Sequence, residues 1–300
     1  MSWRDRLRQR FKISSVGLRP PAARPGRQGV ALVAIMRNEA AYAPEWARFH
    51  HAAGVRAFFV YDDGSTDGTA EALRAALPEG ALTVIPWAQR LEDVRLGREV
   101  HNQVLAYAHA ASNFGAEFRW MGFLDPDEFL IPVSAPSIPA ALEGLDVPSL
   151  SLPWHMFGFG GHETAPEGGV LENYTRRARE VGGDAPGLRA FKMLADPCRI
   201  TSMRVHSLAC DGSEATWNDR GDRVPGPDAR GQDFVSAERL QLNHYYTRSR
   251  AELEAKIARG PNLASKAAEY RRKVMRTVDS IEADTVEDTR ARDYAARLTL

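Results

Sequence analysis

Three acids stand within four residues where an apolar run stops: Met121-Gly122-Phe123-Leu124 leads straight into Asp125-Pro126-Asp127-Glu128. Carboxylates this close repel one another unless a cation lies among them. In extended chain, side chains two residues apart point the same way. One aspartate can then hold a hard divalent ion such as Mg²⁺ or Mn²⁺ while the other touches the ion or a ribose. A polar turn closing a strand is the plainer explanation, and D-x-D alone is a weak signal. A second cluster follows another apolar run, at Asp62-Asp63-Gly64-Ser65-Thr66-Asp67-Gly68-Thr69. Asp62 or Asp63 can accept hydrogen bonds from a uracil imide or a ribose hydroxyl, and Gly64 and Gly68 permit close backbone approach. The alternative there is an Asx turn capping a helix, with Asp67 or Ser65 as the cap. Arg37-Asn38-Glu39 is a third polar cluster after a third apolar run.

The elements that must position these clusters follow from periodicity. Val30–Met36 reads as a buried strand, 45–53 as a helix with Trp46, Phe49 and Ala53 on one face and Gly54 as its stop, and 57–61 as a second strand. A helix carries Leu73 and Leu77, 82–85 is a third strand, 97–114 a helix and 120–124 a fourth strand. Strands alternating with helices predict a parallel, doubly wound sheet whose ligands bind at the carboxyl ends of the strands. The three polar clusters all fall at such ends. Past residue 130 the prolines multiply. A short strand is expected at 150–152, a functional loop rich in glycine and aromatics at 154–169, a surface loop at 211–233 and a last strand at 240–246. A helix follows at 249–259, capped by Ser249 with Glu252 as capping-box partner.

The chain has 300 residues and no net charge, with 39 basic and 39 acidic side chains. Neutrality argues against a general nucleic-acid binder. Two cysteines, Cys198 and Cys210, make neither a disulfide framework nor a CxxC knuckle. The longest apolar run has seven residues, Val30–Met36, against the roughly 20 that a membrane-spanning helix needs. The neutral total conceals an asymmetry. Eight basic residues and one acid, Asp5, put residues 1–29 at +7 and therefore residues 30–300 at −7. Trp3, Leu7 and Phe11 recur every four residues beside the arginines. The leader reads either as an amphipathic helix on an anionic membrane surface or as a disordered basic tail ended by Pro20, Pro21 and Pro25.

The segments MRNEAAYAPEWARFHHAAGV, YDDGSTDGT, WMGFLDPDEFL, WHMFGFGG and LNHYYTRSRAELEAK, in that order, resemble the motifs of glycosyltransferase family 92-like proteins, a group close to the family 2 glycosyltransferases. The resemblance covers residues 30–260. It implies a GT-A fold: a Rossmann-like, mostly parallel central sheet flanked by helices, with a nucleotide half at 30–130 and an acceptor half at 131–260. A basic leader at 1–29 and a helical C-terminal extension at 261–300 fall outside it. The implied activity moves a sugar from a nucleotide sugar, a UDP-sugar first, to a glycan or lipid-linked acceptor with inversion. The implied cofactor is Mn²⁺ or Mg²⁺ on Asp125 and Asp127, and the implied nucleotide contacts are Asn38, Glu39, Asp62 and Asp63, with Arg37 and Asp125 beside them. Enzymes of this fold often recruit a late histidine to the metal; His244 is the first choice and His206 the second. Lys192, Arg189 and Lys256 are candidates for the phosphates.

Inversion needs a general base for the acceptor hydroxyl. Phe157-Gly158-Phe159-Gly160-Gly161-His162-Glu163 loosely resembles the glycine-aromatic loop of β-1,4-galactosyltransferases and points to Glu163; Glu128, beside the metal, competes. Trp154 and Phe157 are candidates to stack on an acceptor sugar, or else core residues. The expected setting is the cytoplasm, with peripheral contact at the inner membrane face through the leader. The rivals are a nucleotidyltransferase that makes nucleotide sugars, disfavoured because Arg37-Asn38-Glu39 lacks a glycine-rich phosphate loop, and a non-catalytic carbohydrate-binding or membrane-surface scaffold.

Overall fold

In the computed structural model, residues 12–185, 187–226, 229, 231–259 and 267–298 are described. The proposed helix around Trp3, Leu7 and Phe11 lies outside them. Residues 12–29 do not form a helix or a loose tail. They cross the body in extended form, and β1 (Val16–Gly17) pairs antiparallel with Ile200–Met203. The Arg27 guanidinium reaches both oxygens of buried Asp196, at 2.5 and 2.6 Å. A paired, buried carboxylate on a distant loop holds this stretch down where composition alone suggested solvation.

Strand β2 (Val30–Met36) is apolar at every position because both its faces are covered. Ala31 and Val33 face one core layer; Val30, Leu32, Ala34 and Met36 face the other. Helix α1 (Ala43–Ala52) buries Trp46 and Phe49 on the second layer. It ends at Gly54, whose φ of +97° and proximity to Pro139 leave no room for a side chain. β3 (Ala57–Asp62), α2 (Thr69–Ala76) and β4 (Leu82–Pro86) follow as expected. The segment 97–101 differs. β5 (Glu92–Asp93) and β6 (Arg98–Glu99) form a hairpin, so helix α3 starts only at Asn102 and runs to Phe114. Asp93 captures the Leu96 N–H and Gly97 takes φ +59°, which makes a turn where helical spacing suggested a helix start.

β7 (Trp120–Phe123) lies parallel to β2, and β8 (Glu128–Pro132) departs from it after a turn. Helix α4 (Ile138–Ala141) leads to β9 (Ser149–Met156), which extends well past the three residues expected. Helix α5 (Val170–Asn173), β10 (Arg176–Ala178), β11 (Phe191–Ala195), β12 (Ile200–Met203), β13 (Leu208–Cys210), β14 (Thr216–Trp217), β15 (Arg223–Val224) and β16 (Leu240–His244) complete the second half. The main sheet runs β4-β3-β2-β7-β11-β9-β14-β15, with β16 joined to β9 and β8. Its first four strands are parallel, as expected; β11 is antiparallel to both β7 and β9. The stretch between β9 and β11 holds α5 and β10, and it returns β11 alongside β9 in the opposite sense. The sheet is mixed, with β14 and β16 again parallel to β9.

Helix α6 (Arg250–Arg259) opens on the expected capping box: Ser249 N–H donates to Glu252 Oε2, and Glu252 N–H to Ser249 Oγ. After α7 (Ala267–Glu282), the short β17 (Thr285–Glu287) pairs with β10, and α8 (Arg290–Ala295) buries Tyr294 against Phe49. The C-terminal residues thus fold back onto the body. No helix among the described residues is long and apolar enough to cross a membrane.

Candidate active site

β7 ends at Phe123 and the chain reverses through Asp125-Pro126-Asp127 into β8, with Glu128 N–H donating to Asp125 O at 3.0 Å. This is a turn and not extended chain, so the two aspartates go to different partners. Asp125 Oδ1 accepts from Gln103 Nε2 and its Oδ2 from Lys192 Nζ, each at 2.7 Å. Lys192 is wholly buried; the antiparallel register that sets Leu194 opposite Gly122 carries it to the end of β7. Glu128, also wholly buried, lies 3.6 Å from the same ammonium. Its Oε2 accepts the Asp125 N–H at 2.8 Å, and its Oε1 is buried without a partner. Burial, with Asp125 and Asp127 adding to it, pushes the Glu128 carboxyl well above its ordinary range. Burial opposes charge on Asp125 too, but Lys192 outweighs it and holds that carboxyl low. Burial would lower Lys192; Asp125 and Glu128 raise it instead. The buried Lys192 ammonium thus offsets carboxyl charge that burial would otherwise make costly.

Asp127 faces the other way, into a cleft of about 340 Å³ lined also by Asn38, Glu39, Tyr42, Arg248 and Lys256. Strand β16 pairs with β8 so that His244 lies opposite Glu128, and Tyr245 N–H donates to Asp127 O at 2.9 Å. His244 Nε2 ends 3.5 Å from Asp127 Oδ1, a separation too long for a good hydrogen bond. Lys256 Nζ, from α6, sits 3.2 Å from Asp127 Oδ2 and 3.2 Å from Tyr246 O. Burial opposes ionisation of Asp127, yet Lys256 and His244 hold it well below the usual carboxylate range. His244 Nδ1 and Trp154 Nε1 are buried without partners. The Trp154 ring bridges the two imidazoles, 4.3 Å from His244 and 5.4 Å from His206. Burial, aided by Lys192, brings His206 down to about 4.

The opposite wall comes from the ends of β2 and β3. Asn38 adopts φ +55°; its N–H donates to Ser65 Oγ at 3.0 Å and its Oδ1 accepts from Thr66 N–H at 2.8 Å. Asp62 Oδ1 accepts from Ser65 N–H, and Asp67 Oδ2 from Ala40 N–H. The two loops are laced together by their own side chains. Asp63 is gripped by Arg90 at 2.7 and 3.0 Å and by Asn102 at 3.0 Å. Arg248, with φ +51°, lays its guanidinium 3.6 Å over the Tyr42 ring and reaches to 3.8 Å from Glu39; its Nε is buried without a partner. Glu252 accepts from the hydroxyls of Tyr42 and Tyr174.

A divalent ion, implied by D-x-D, finds suitable donors at one aspartate only. Asp127 Oδ1 and His244 Nε2 face each other without a hydrogen bond, whereas both oxygens of Asp125 are engaged. Among the described residues no group of three or more His, Cys, Asp or Glu could hold a metal. Ions such as Mg²⁺ draw on one or two protein ligands and complete their shell from phosphates and water. The Asp127–His244 pair fits that requirement.

The model of glycosyltransferase family 92 matches residues 34–277, most of the chain. This chain belongs to glycosyltransferase family 92. A family 92 protein of Oryza sativa subsp. japonica is 29% identical over 151 residues, covering 48% of this chain and 24% of the relative. One of Ricinus communis is 28% identical over 166 residues, covering 51% and 28%. The chain thus spans about a quarter of the length of these curated relatives. Among solved structures, a mycobacterial protein overlaps 85% of this chain and 74% of its own at a TM-score of 0.38 and 15% identity. The Saccharomyces cerevisiae mannosyltransferase Ktr4p overlaps 50% and 46% at 0.27 and 12%.

In this family 92 chain the structure brings Asp127, Lys256, Asn38 and Glu39 around one cleft, with buried His244 3.5 Å from Asp127. Asp125 and Glu128 lie beneath it. Glu163 is largely exposed and pairs with Arg250 at 3.2 Å, at the start of the helix whose later turn carries Lys256. Phe157 is 1% exposed, its ring packed 4.7 Å from Tyr245, so it belongs to the core and offers no face to a sugar. Trp154 is half-buried. Lys192, named for phosphate contact, is sealed under Asp125, and Arg189 pairs with Asp184 at the surface. Arg37 is exposed. Sequence reasoning missed Arg248, Gln103 and Tyr42. For Arg248 a signal existed: it lies three residues past the Asn243-His244-Tyr245 motif and immediately before the Ser249 cap.

Proposed function

We propose that this chain transfers a hexosyl unit from a UDP-sugar to a glycan or lipid-linked acceptor, with inversion, at the cytoplasmic face of a membrane. One observation carries the reading: the Asp127 carboxylate opens into a cleft lined also by Asn38, Glu39, Arg248 and Lys256, and buried His244 brings its Nε2 to 3.5 Å from that carboxylate. That is the charge pattern a nucleoside diphosphate needs. Asp127 and His244 would hold Mn²⁺ or Mg²⁺, which when bound screens the charge of the departing diphosphate. Lys256 and Arg248 face the same developing charge from the protein side. Asp62 and Asp63, with Arg37, Asn38 and Glu39, flank the base and ribose.

Glu163 would take the proton from the acceptor hydroxyl, whose oxygen then attacks the anomeric carbon from the face opposite the diphosphate. The bond from that carbon to the phosphate oxygen breaks, and its electron pair leaves with the nucleoside diphosphate. Glu128 is unsuited to the base role, since it is wholly enclosed and lies 3.6 Å from the Lys192 ammonium.

Thermal shift with UDP plus Mn²⁺, beside a screen of UDP-sugars for metal-dependent hydrolysis, tests the reading. A shift in the wild type that disappears in Asp127→Ala supports it. No shift with UDP and Mn²⁺ removes the nucleotide assignment. Loss of turnover in Glu163→Gln with KM unchanged supports the base; full turnover assigns that role elsewhere.

A further inference from the structure

Arg248 is held in a backbone conformation that its side chain disfavours. Its φ of +51° lies in the left-handed region, which a residue other than glycine keeps only where the surroundings over-determine it. Among the described residues, Asn38 and Asp211 are the other non-glycine positions with positive φ. Of the three, Asn38 and Arg248 line the cleft. Such strain gathers at functional sites. The Arg248 side chain is 14% exposed, and its Nη2 stands 3.8 Å from Glu39 Oε2, too far for a hydrogen bond. Its Nε is buried without a partner. An arginine ordered at a cleft wall gives up much rotamer freedom, so a further contact must fix it there.

Tyr42 supplies that contact. The guanidinium carbon of Arg248 lies 3.6 Å from the centroid of the Tyr42 ring, a cation over the electron-rich face of an aromatic. The ring is pinned at its far end. The Tyr42 hydroxyl donates to Glu252 Oε1. The other oxygen, Oε2, accepts from Ser249 N–H at 3.1 Å, from Ser249 Oγ at 2.6 Å and from the Tyr174 hydroxyl at 3.2 Å. Burial, with Glu252 adding to it, pushes the Tyr42 hydroxyl up to about 12, so it stays a donor at neutral pH. Arg248, Glu252 and Lys256 are spaced four residues apart, and all three line the cleft. Lys256 has a similar seat: its Nζ is 4.5 Å from the centroid of the Tyr246 ring and 3.2 Å from Asp127 Oδ2. Both cleft cations therefore lie between an acid and a tyrosine ring, a setting that orders them while leaving hydrogen-bonding capacity for an anion. From this geometry we infer that Tyr42 is a positioning residue: its ring, pinned by Glu252, holds the Arg248 guanidinium at the cleft wall for the phosphate oxygens of the donor. A cation ordered in advance costs less entropy when the anion arrives. The inference rests on the proposed function for the identity of that anion.

The test is calorimetric titration of the full chain with inorganic pyrophosphate and, separately, with UDP, both in Mg²⁺. Arg248→Ala is expected to weaken binding about tenfold or more, and Tyr42→Leu by about tenfold. Tyr42→Phe keeps the ring and should stay within about threefold of wild type. The double variant Tyr42→Leu/Arg248→Ala should bind no more weakly than Arg248→Ala alone, because Tyr42 acts through the guanidinium. A merely structural Tyr42 would instead add its loss to that of Arg248→Ala, and additive losses overturn the inference. So does a Tyr42→Leu variant that binds as wild type does, or a Tyr42→Phe variant as weak as Tyr42→Leu. Wild type that binds neither anion overturns the inference together with the nucleotide assignment. UDP bound no tighter than pyrophosphate, with Tyr42→Leu still felt, supports the inference and removes the nucleotide assignment. Tight UDP binding that ignores Tyr42→Leu does the reverse.

Discussion

Asp125 and Asp127 are two residues apart, and each carries a lysine at hydrogen-bonding distance, yet they are put to different uses. Lys192 meets Asp125 beneath the cleft with its ammonium wholly buried, and buried Glu128 completes a closed group. Lys256 meets Asp127 at the cleft wall, where the lysine side chain is 31% exposed and His244 stands near without a hydrogen bond. In the first pair, all of the charge is consumed by partners within the fold. In the second, part of it is left directed at whatever enters the cleft. A two-letter spacing therefore does not assign a role; the turn between the letters does.

The contrast can be broken at four places. Asp127→Ala should give the largest change, a loss of about 10³-fold in kcat/KM, or about 4 kcal/mol, with melting temperature little altered. A variant that retains turnover would make the open pair no different from the closed one. Lys192→Met should reverse the pattern. It leaves Asp125 and Glu128 without their buried cation, and urea unfolding should register a loss of about 3–5 kcal/mol. Equal stability would mean that the closed pair is not structural.

His50 sharpens the same boundary from the closed side. Its Nδ1–H faces Trp46 O at 2.8 Å, its Nε2 accepts Leu130 N–H at 3.0 Å, and burial brings its pKa down to about 3. A histidine lowered in the folded state stabilises fully above its unfolded value near 6.5, and that contribution is lost as pH falls below it. Between pH 7 and pH 5 the loss should be about 2 kcal/mol. His50→Gln should remove that share of the slope in urea titrations at the two pH values. The smallest effect is expected from Lys256→Ala, about tenfold in kcat or about 1.4 kcal/mol, because Arg248 still lines the same cleft. A stability loss as large as that of Lys192→Met would place both lysines in one structural class.

The strands and the acids that end them were legible because each apolar run is buried on both faces and then meets water abruptly; β2, β3 and β7 follow from that alone. Helix α6 and its Ser249–Glu252 cap were legible for a local reason, since the partners are three residues apart. What remained hidden depends on distant pairing. Lys192 stands in Phe191–Ala195, a strand with no acid in it, and only the β11–β7 register reveals its partner. The Asp125–Asp127 turn read as extended chain because Pro126 suits either form. Phe157 sat in a glycine-rich stretch that suggested exposure, although β9 runs up to it. Residues 97–99, the end of the hairpin, read as the first turn of α3, because the Asp93 bond that closes the turn is not visible in helical spacing.

The seating of β16 between β8 and β9 has a consequence for biogenesis. Glu128 is set opposite His244 and Met156 beside it, so three stretches far apart in sequence must be present before Asp127 has its neighbour. A chain still on the ribosome with its first two hundred residues emerged has the parallel strands and a hydrophobic edge awaiting β16, but no cleft. A one-residue slip on docking would turn His244 to the opposite face. Closing so long a loop is slow relative to local helix formation. Competence to bind a donor should thus arrive late in synthesis and all at once, and a premature stop before residue 240 should yield a protein with the nucleotide-side strands intact and nothing for Asp127 to face.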